Sequence, residues 1–218
     1  MKMARSTRSV YLVDDNIEFR RSLHFLLATE DIMVWSFASA EDFLANIEEL
    51  APAPILLDVR MGGMDGLELL NALDSRDIRW PVIMVSAHGD IETAVEAVRR
   101  GAIDFLEKPF RADLLDRKLE FAFACLRERL LEIDDQSAAR ALFDRLTHRE
   151  MDVLQELMPG RSNKAAAHAL GLSVRTVEMH RANALTKLHI RTIAEALAIA
   201  TRAGLGQKAS QEEHGRKG

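Results

Sequence analysis

The amino-acid sequence predicts an α/β domain built on a doubly wound, five-stranded parallel sheet, followed by a smaller all-α domain. Three observations carry this reading. Short apolar runs alternate with amphipathic stretches through about residue 120, no strand-like run returns after Thr147, and the charge changes sign between the two regions. Residues 1–120 hold 14 Lys and Arg against 22 Asp and Glu, whereas residues 147–218 hold 11 against 7. At 218 residues, 48% hydrophobic and 29% charged, the chain is long enough for two cored domains and has the balance of a folded protein.

The strand candidates are Val10–Val13, Met33–Phe37, Ile55–Leu57, Val82–Val85 and Asp104–Leu106. Each is too short for a buried helix and several are rich in Val and Ile, as strands covered on both faces should be. Between them, Ile17–Ala28, Glu41–Leu50, Gly66–Leu73 and Ile91–Arg100 show helical spacing, with Gly101 placed as a helix stop and a fifth helix starting near Ala112. A charged, Ala- and Leu-rich stretch without Pro or Gly then runs from Phe121 to Leu146, and residues 124–142 read as a helical linker. Beyond it, Glu150–Leu157, Asn163–Leu170, Val174–Leu188 and Ile193–Ala203 read as short helices, and the polar tail 209–218 reads as disordered.

The basic start MKMARSTRSV runs directly into strand-like YLVDD, leaving no room for the apolar core of a secretory signal. No apolar run approaches the roughly 20 residues a membrane helix needs. The expectation is a cytoplasmic protein without membrane contact. The single cysteine, Cys125, has no partner or metal-ligand pattern beside it and reads as packing.

In an open parallel sheet, ligands bind beyond the carboxyl ends of the strands. Asp14 and Asp15 follow the first strand, Asp58 the third, Ser86 the fourth and Lys108 the fifth. Taken singly, each is as well explained by a turn or a helix cap. Together they form a crowd of carboxylates that needs a cation, and their hard oxygen donors suit Mg²⁺ better than a soft metal. A carboxylate can attack phosphorus once the charge on the phosphoryl oxygens is neutralised, which Mg²⁺, the Lys108 ammonium and the Ser86 hydroxyl would do. The backbone carbonyl near Arg60 is a further candidate metal ligand, because the chain turns back at Met61-Gly62-Gly63.

With VDD, LLDVRM, MDG, VSAHGD and EKPF, residues 9–123 resemble the receiver domain of two-component response regulators, a flavodoxin-like fold. The resemblance implies Asp58 as phosphoacceptor, Asp14 and Asp15 as metal carboxylates, Ser86 as the switch hydroxyl, Lys108 as the phosphate-pairing cation and Phe105 as a switching aromatic. From its place on a short strand alone, Phe105 reads as core. One departure stands out: the family usually has proline after the methionine of LLDVRM, where this chain has the more flexible Gly62.

In the basic half, NKAAAHALGLSVRTVEMHRANALTKL has a short helix, a turn at Gly171-Leu172-Ser173 and a longer helix, the order of a helix-turn-helix. Helical spacing gathers Val174, Val177, Ala184, Leu185 and Leu188 on one face and Arg175, Glu178, Met179, Ala182 and Thr186 on the other. The second face is expected in the major groove of double-stranded promoter DNA, with Glu178, Met179 and Ala182 as base readers. Arg161, Lys164, Arg175, Arg181 and Lys187 are expected on phosphates, and Thr176 completes the candidate DNA set.

With LTHREMDVL and LSVRTVEMHRANALTKL, the region from about Leu146 to Gly204, within a domain placed at residues 143–208, resembles the LuxR-type helix-turn-helix domain, and all of the chain but its two termini resembles the FixJ-type subgroup of response regulators. That resemblance implies a transcription factor rather than an enzyme. It also implies a sensor histidine kinase as phosphodonor, a homodimer on phosphorylation, and RNA polymerase as a further contact. Two rival readings follow other lines. A hydrolase of the haloacid-dehalogenase type would carry its nucleophile after the first strand in a D-x-D arrangement, which this chain lacks. A DNA-binding regulator with a phosphorylation-independent receiver-like dimerisation module would not need the complete acidic set.

Overall fold

The computed structural model describes residues 8–87 and 91–205. The first seven residues, the His88-Gly89-Asp90 part of the VSAHGD motif and the tail 209–218 lie outside the described residues. The chain divides into two compact units, residues 1–129 and 130–218.

In the first unit, five parallel strands are β1 (Arg8–Val13), β2 (Ile32–Phe37), β3 (Ile55–Asp58), β4 (Val82–Ser86) and β5 (Asp104–Glu107). Their order across the sheet is β2-β1-β3-β4-β5. The doubly wound sheet expected from the alternation is therefore confirmed. Alternating side chains divide it into two faces. Tyr11, Val13, Ile55, Leu57, Val82 and Met84 pack with α2 (Ala40–Asn46), α3 (Gly66–Ser75) and Ala97 of α4 (Ile91–Arg99). On the other side, Val10, Leu12, Leu56, Ile83, Val85 and Leu106 pack with α1 (Ile17–Ala28) and with Leu115, Leu119 and Ala122 of α5 (Ala112–Phe143). Burial on both faces is why the central strands β3 and β4 carry no polar residue until their carboxyl ends at Asp58 and Ser86, whereas the edge strand β2 leaves Met33 and Trp35 about half exposed.

Some boundaries differ from the periodicity. The stretch read as one helix, Glu41–Leu50, ends as α2 at Asn46 and tightens into a 3-10 turn, Ile47–Glu49, ahead of the extended Leu50. α5 is one unbroken helix of 32 residues that includes 124–142, and its Ala139 and Phe143 are buried in the core of the second unit.

The second unit adds α6 (His148–Leu157), α7 (Asn163–Leu170), α8 (Val174–Lys187) and α9 (Ile193–Arg202). α6 opens two residues before the apolar periodicity because Thr147 and Glu150 form a reciprocal capping box. Gly171 ends α7 in the left-handed conformation at φ 64°, where a side chain would be strained. Ser173 then caps α8, its hydroxyl accepting from the Thr176 N–H at 3.1 Å. The turn between α7 and α8 is thus three residues long and capped at both ends. Among the described residues, no helix is long and apolar enough to cross a membrane.

Candidate functional site

The parallel register brings the carboxyl ends of β1, β3, β4 and β5 together. The Val59 N–H donates to the Val85 carbonyl at 2.9 Å and the Lys108 N–H to the Ser86 carbonyl at 2.7 Å, fixing these ends side by side. Asp14 is fully buried, Asp58 and Ser86 are buried, and Asp15 is exposed. Carboxylate oxygens of Asp14, Asp15 and Asp58 lie within 4.8 Å of one another. Such a set of hard oxygen donors, open on the Asp15 side, fits a divalent cation.

Lys108 answers the crowded charge. Its Nζ donates to Asp14 Oδ2 at 2.6 Å and to Asp58 Oδ1 at 2.8 Å. The same ammonium sits 4.0 Å from the centre of the Phe19 ring, whose edge-on partner is Phe110. Phe19 escapes a reading of motifs, because an aromatic at the start of an amphipathic helix looks like ordinary packing. Burial pushes the Asp58 carboxyl above the ordinary carboxylate value. Lys108 opposes that rise by hydrogen bond and charge, while Asp14 and Asp15 add to it.

Asp14 is held from three sides: its Oδ1 accepts from the Asn16 N–H at 2.8 Å, its carbonyl from Arg20 at 2.5 Å, and its Oδ2 from Lys108. Asp15 takes a different donor. The Gly62 N–H reaches its Oδ2 at 3.2 Å, across 47 residues of sequence. The neighbouring Met64 N–H donates to Glu41 Oε1 at 2.8 Å. Hydrogen bonds from the Met64 amide and from its own amide hold the Glu41 carboxyl below the ordinary value, with desolvation opposing and Ser39 adding. Glu41 looks in sequence like a first-turn helix acid, and nothing in its local pattern points to the β3–α3 loop. Arg60, two residues beyond Asp58, carries an exposed side chain, and Phe105 is half-buried against the α2/α3 face of the sheet.

In the second unit, α8 buries Val177 and Ala184, and Leu188, its C-cap, is buried with them. Arg175, Glu178, Met179, Ala182 and Thr186 are all exposed, and on the opposite face Leu185 is half-buried and Val174 exposed. Val174, placed on the apolar face, is 40% exposed because it occupies the first turn, ahead of the point where α8 packs. Thr176 and Arg181 are half-buried, and Lys164 is exposed. Two cations of the expected DNA set have acidic partners: Arg161 pairs with Glu156 at 2.5 Å, and Lys187 with the buried Glu150 at 2.6 Å. Desolvation works against the Glu150 charge, but Lys187 and the Thr147 amide and hydroxyl together keep its carboxyl below the ordinary value.

Two family models cover most of the chain: "Response regulator receiver domain" matches residues 10–120 and "Bacterial regulatory proteins, luxR family" matches residues 144–200. The chain is 37% identical over 199 residues to the transcriptional regulatory protein FixJ of Bradyrhizobium diazoefficiens, covering 90% of this chain and 96% of that protein. Among solved structures it is similar to the response regulator StyR, with a TM-score of 0.73 and 34% identity, covering 90% of this chain and all of that one. Full-length FixJ from B. japonicum aligns with a TM-score of 0.56 and 36% identity over 91% of this chain and 98% of that one.

Proposed function

Since this chain belongs to the two-component response regulators, with a receiver domain followed by a LuxR-family DNA-binding domain, we propose that Asp58 is the phosphoacceptor through which a sensor histidine kinase controls its DNA binding. The observation that carries this reading is the Lys108 ammonium bridging Asp14 and Asp58 inside a cluster of three carboxylates.

An oxygen of Asp58 attacks the phosphorus of a phosphohistidine. The P–O bond forms as the P–N bond breaks, and the imidazole leaves with the electron pair. Asp14, Asp15, Asp58 and the Arg60 carbonyl would hold Mg²⁺, which supplies positive charge for the phosphoryl oxygens. Lys108 moves from bridging two carboxylates to pairing with the phosphoryl group, and Phe19 beneath it limits where its ammonium can swing. Ser86, buried at the end of β4, donates its hydroxyl to a phosphoryl oxygen, and Phe105 turns into the space this opens. That local change biases a two-state surface, by which receivers pair as a homodimer and the DNA-binding domain is put to use.

On this reading residues 9–123 form the receiver, 124–142 connect it and 143–208 read promoter DNA in the cytoplasm, with RNA polymerase as a further partner. Glu178, Met179 and Ala182 present side chains to bases in the major groove, and Arg175 on the same face reaches the phosphates at its edge. Lys164, Thr176, Arg181 and Arg161 approach phosphates, Arg161 on exchanging Glu156 for DNA. Lys187 keeps one donor on Glu150 and offers the rest of its part-exposed ammonium to a phosphate.

Labelling with a small-molecule phosphodonor and Mg²⁺ tests the central step. Acid-labile label is expected on the wild-type chain and not on Asp58→Asn. Label on neither protein, or equal label on both, overturns the assignment.

A further inference from the structure

We propose that the Gly62 N–H and the Glu41 carboxylate form a clamp that presets the metal site, holding Asp15 in the carboxylate cluster before a cation arrives. The proposal rests on reading that cluster as a divalent-cation site.

Asp14 and Asp58 are both drawn inward by Lys108, at 2.6 Å and 2.8 Å. Asp15 is exposed, and the hydrogen bond to its carboxylate comes from the β3–α3 loop through Gly62, at 3.2 Å. An exposed carboxylate beside two others would otherwise turn to solvent, away from their charge. Held by Gly62, it keeps an oxygen within 4.8 Å of its neighbours. The donor must itself be fixed for this to work. Glu41 fixes it two residues further on, through the Met64 N–H at 2.8 Å, and packs so close to the loop that a Cβ on Gly63 would fall 2.6 Å from its Oε1. Glu41 is in turn anchored at the first turn of α2, capped by Ser39. A chain of contacts thus runs from α2 through the loop to a metal carboxylate, lowering the ordering cost of binding the ion. A proline at position 62 could not take part, since it has no N–H.

The test uses the full-length chain and Mn²⁺ as probe, with free ion read by electron paramagnetic resonance, so the readout is an equilibrium constant independent of phosphorylation. Gly62→Pro removes the donor, and a dissociation constant about five-fold weaker is expected, the scale of one lost hydrogen bond. Gly62→Ala keeps the N–H, and its Cβ meets nothing within 4 Å, so its affinity stays within about two-fold of wild type. Glu41→Ala weakens binding in the same direction, and Glu41→Gln, which keeps an acceptor for Met64, restores it. Equal or tighter binding by Gly62→Pro overturns the clamp, as does equal loss in Gly62→Ala. Should Gly62→Pro fail to fold, the Glu41 pair decides alone: an unaltered Glu41→Ala overturns it. If the wild-type chain binds no Mn²⁺, or Asp58→Asn binds it equally well, the metal reading itself falls and the clamp with it.

Discussion

Lys187, in the last turn of the helix expected to read DNA, donates its ammonium to the buried carboxylate of Glu150 on α6 at 2.6 Å. The same Glu150 oxygen accepts from the Thr147 N–H at 2.8 Å, so one atom closes both a helix cap and a link between helices. Charge at the end of α8 and the footing of α6 are therefore one structural unit.

Removing Lys187 should loosen the second unit while leaving the first intact. A fully buried pair broken on one side costs roughly 3–5 kcal/mol, but this ammonium is 37% exposed. For Lys187→Met the expected loss is about 1–2 kcal/mol after allowing for solvent screening. Both tryptophans, Trp35 and Trp80, lie in the first unit. Denaturation should thus show an earlier loss of helical circular dichroism with tryptophan fluorescence unchanged. Fluorescence shifting in step with the dichroism would contradict the assignment.

Acid should act on the same pair. The folded-state value of Glu150 is depressed, so its contribution is complete above the ordinary glutamate pKa of 4.5 and is lost as pH falls through the lower folded value. Unfolding midpoints of the second unit should fall below pH 4.5, and Glu150→Gln should flatten that part of the profile while lowering stability at pH 7. A Gln variant with the same acid slope as wild type would assign the slope elsewhere.

Much of this arrangement was legible in the sequence, and the limits have a physical cause. The five strands emerged from apolar runs bounded by turns, and Asp14, Asp15, Asp58, Ser86 and Lys108 from their places at strand ends, because both signals are local. Glu41, Phe19 and the Glu150–Lys187 pair did not emerge. Each acts on a residue brought near by the tertiary fold, and each looks in its own segment like a helix acid, a packing aromatic or a solvated cation. Helical spacing put Val174 on the apolar face but gives no sign of the turn at which packing begins, and Val174 is exposed.

If the carboxylate cluster binds a divalent cation, Mg²⁺ should stabilise the first unit by mass action. At about ten times the dissociation constant the gain is ~1.4 kcal/mol. Trp80 stacks on Tyr11 in that core at 5.5 Å, which makes its fluorescence the reporter. The midpoint should rise with Mg²⁺ in wild type and hold still in Asp15→Asn; a rise of the same size in both would point to ionic strength.

For DNA, the exposed α8 side chains divide by chemistry. Arg175→Ala should weaken binding alike across sequences and reduce the salt slope by about 1. Met179, 51% exposed, should act on choice of sequence instead: Met179→Ala should narrow the gap between preferred and random DNA by roughly 1 kcal/mol, with the slope unchanged. Binding titrations at several salt concentrations separate the two effects, and a change of slope in Met179→Ala would remove it from the base-reading set.

Gly66 places a steric test directly behind Asp58, the proposed phosphoacceptor. It opens α3 with its N–H bonded to the Val59 carbonyl at 3.0 Å, and a Cβ there would sit 2.2 Å from the backbone oxygen of Asp58 and 3.0 Å from Met84 Cε. The methionine can move aside, but the backbone oxygen belongs to a central strand that cannot. Gly66→Ala must therefore push α3 and the end of β3 apart, at a cost of about 1–3 kcal/mol for overpacking. Tryptophan-monitored unfolding should shift by that amount, and phosphodonor labelling of Asp58 should slow even under conditions where the variant is fully folded. Glycine's own flexibility predicts the opposite, since Ala in a helix is worth up to about 1 kcal/mol over Gly. A stabilised, normally labelled Gly66→Ala would show that α3 is free to back away from Asp58.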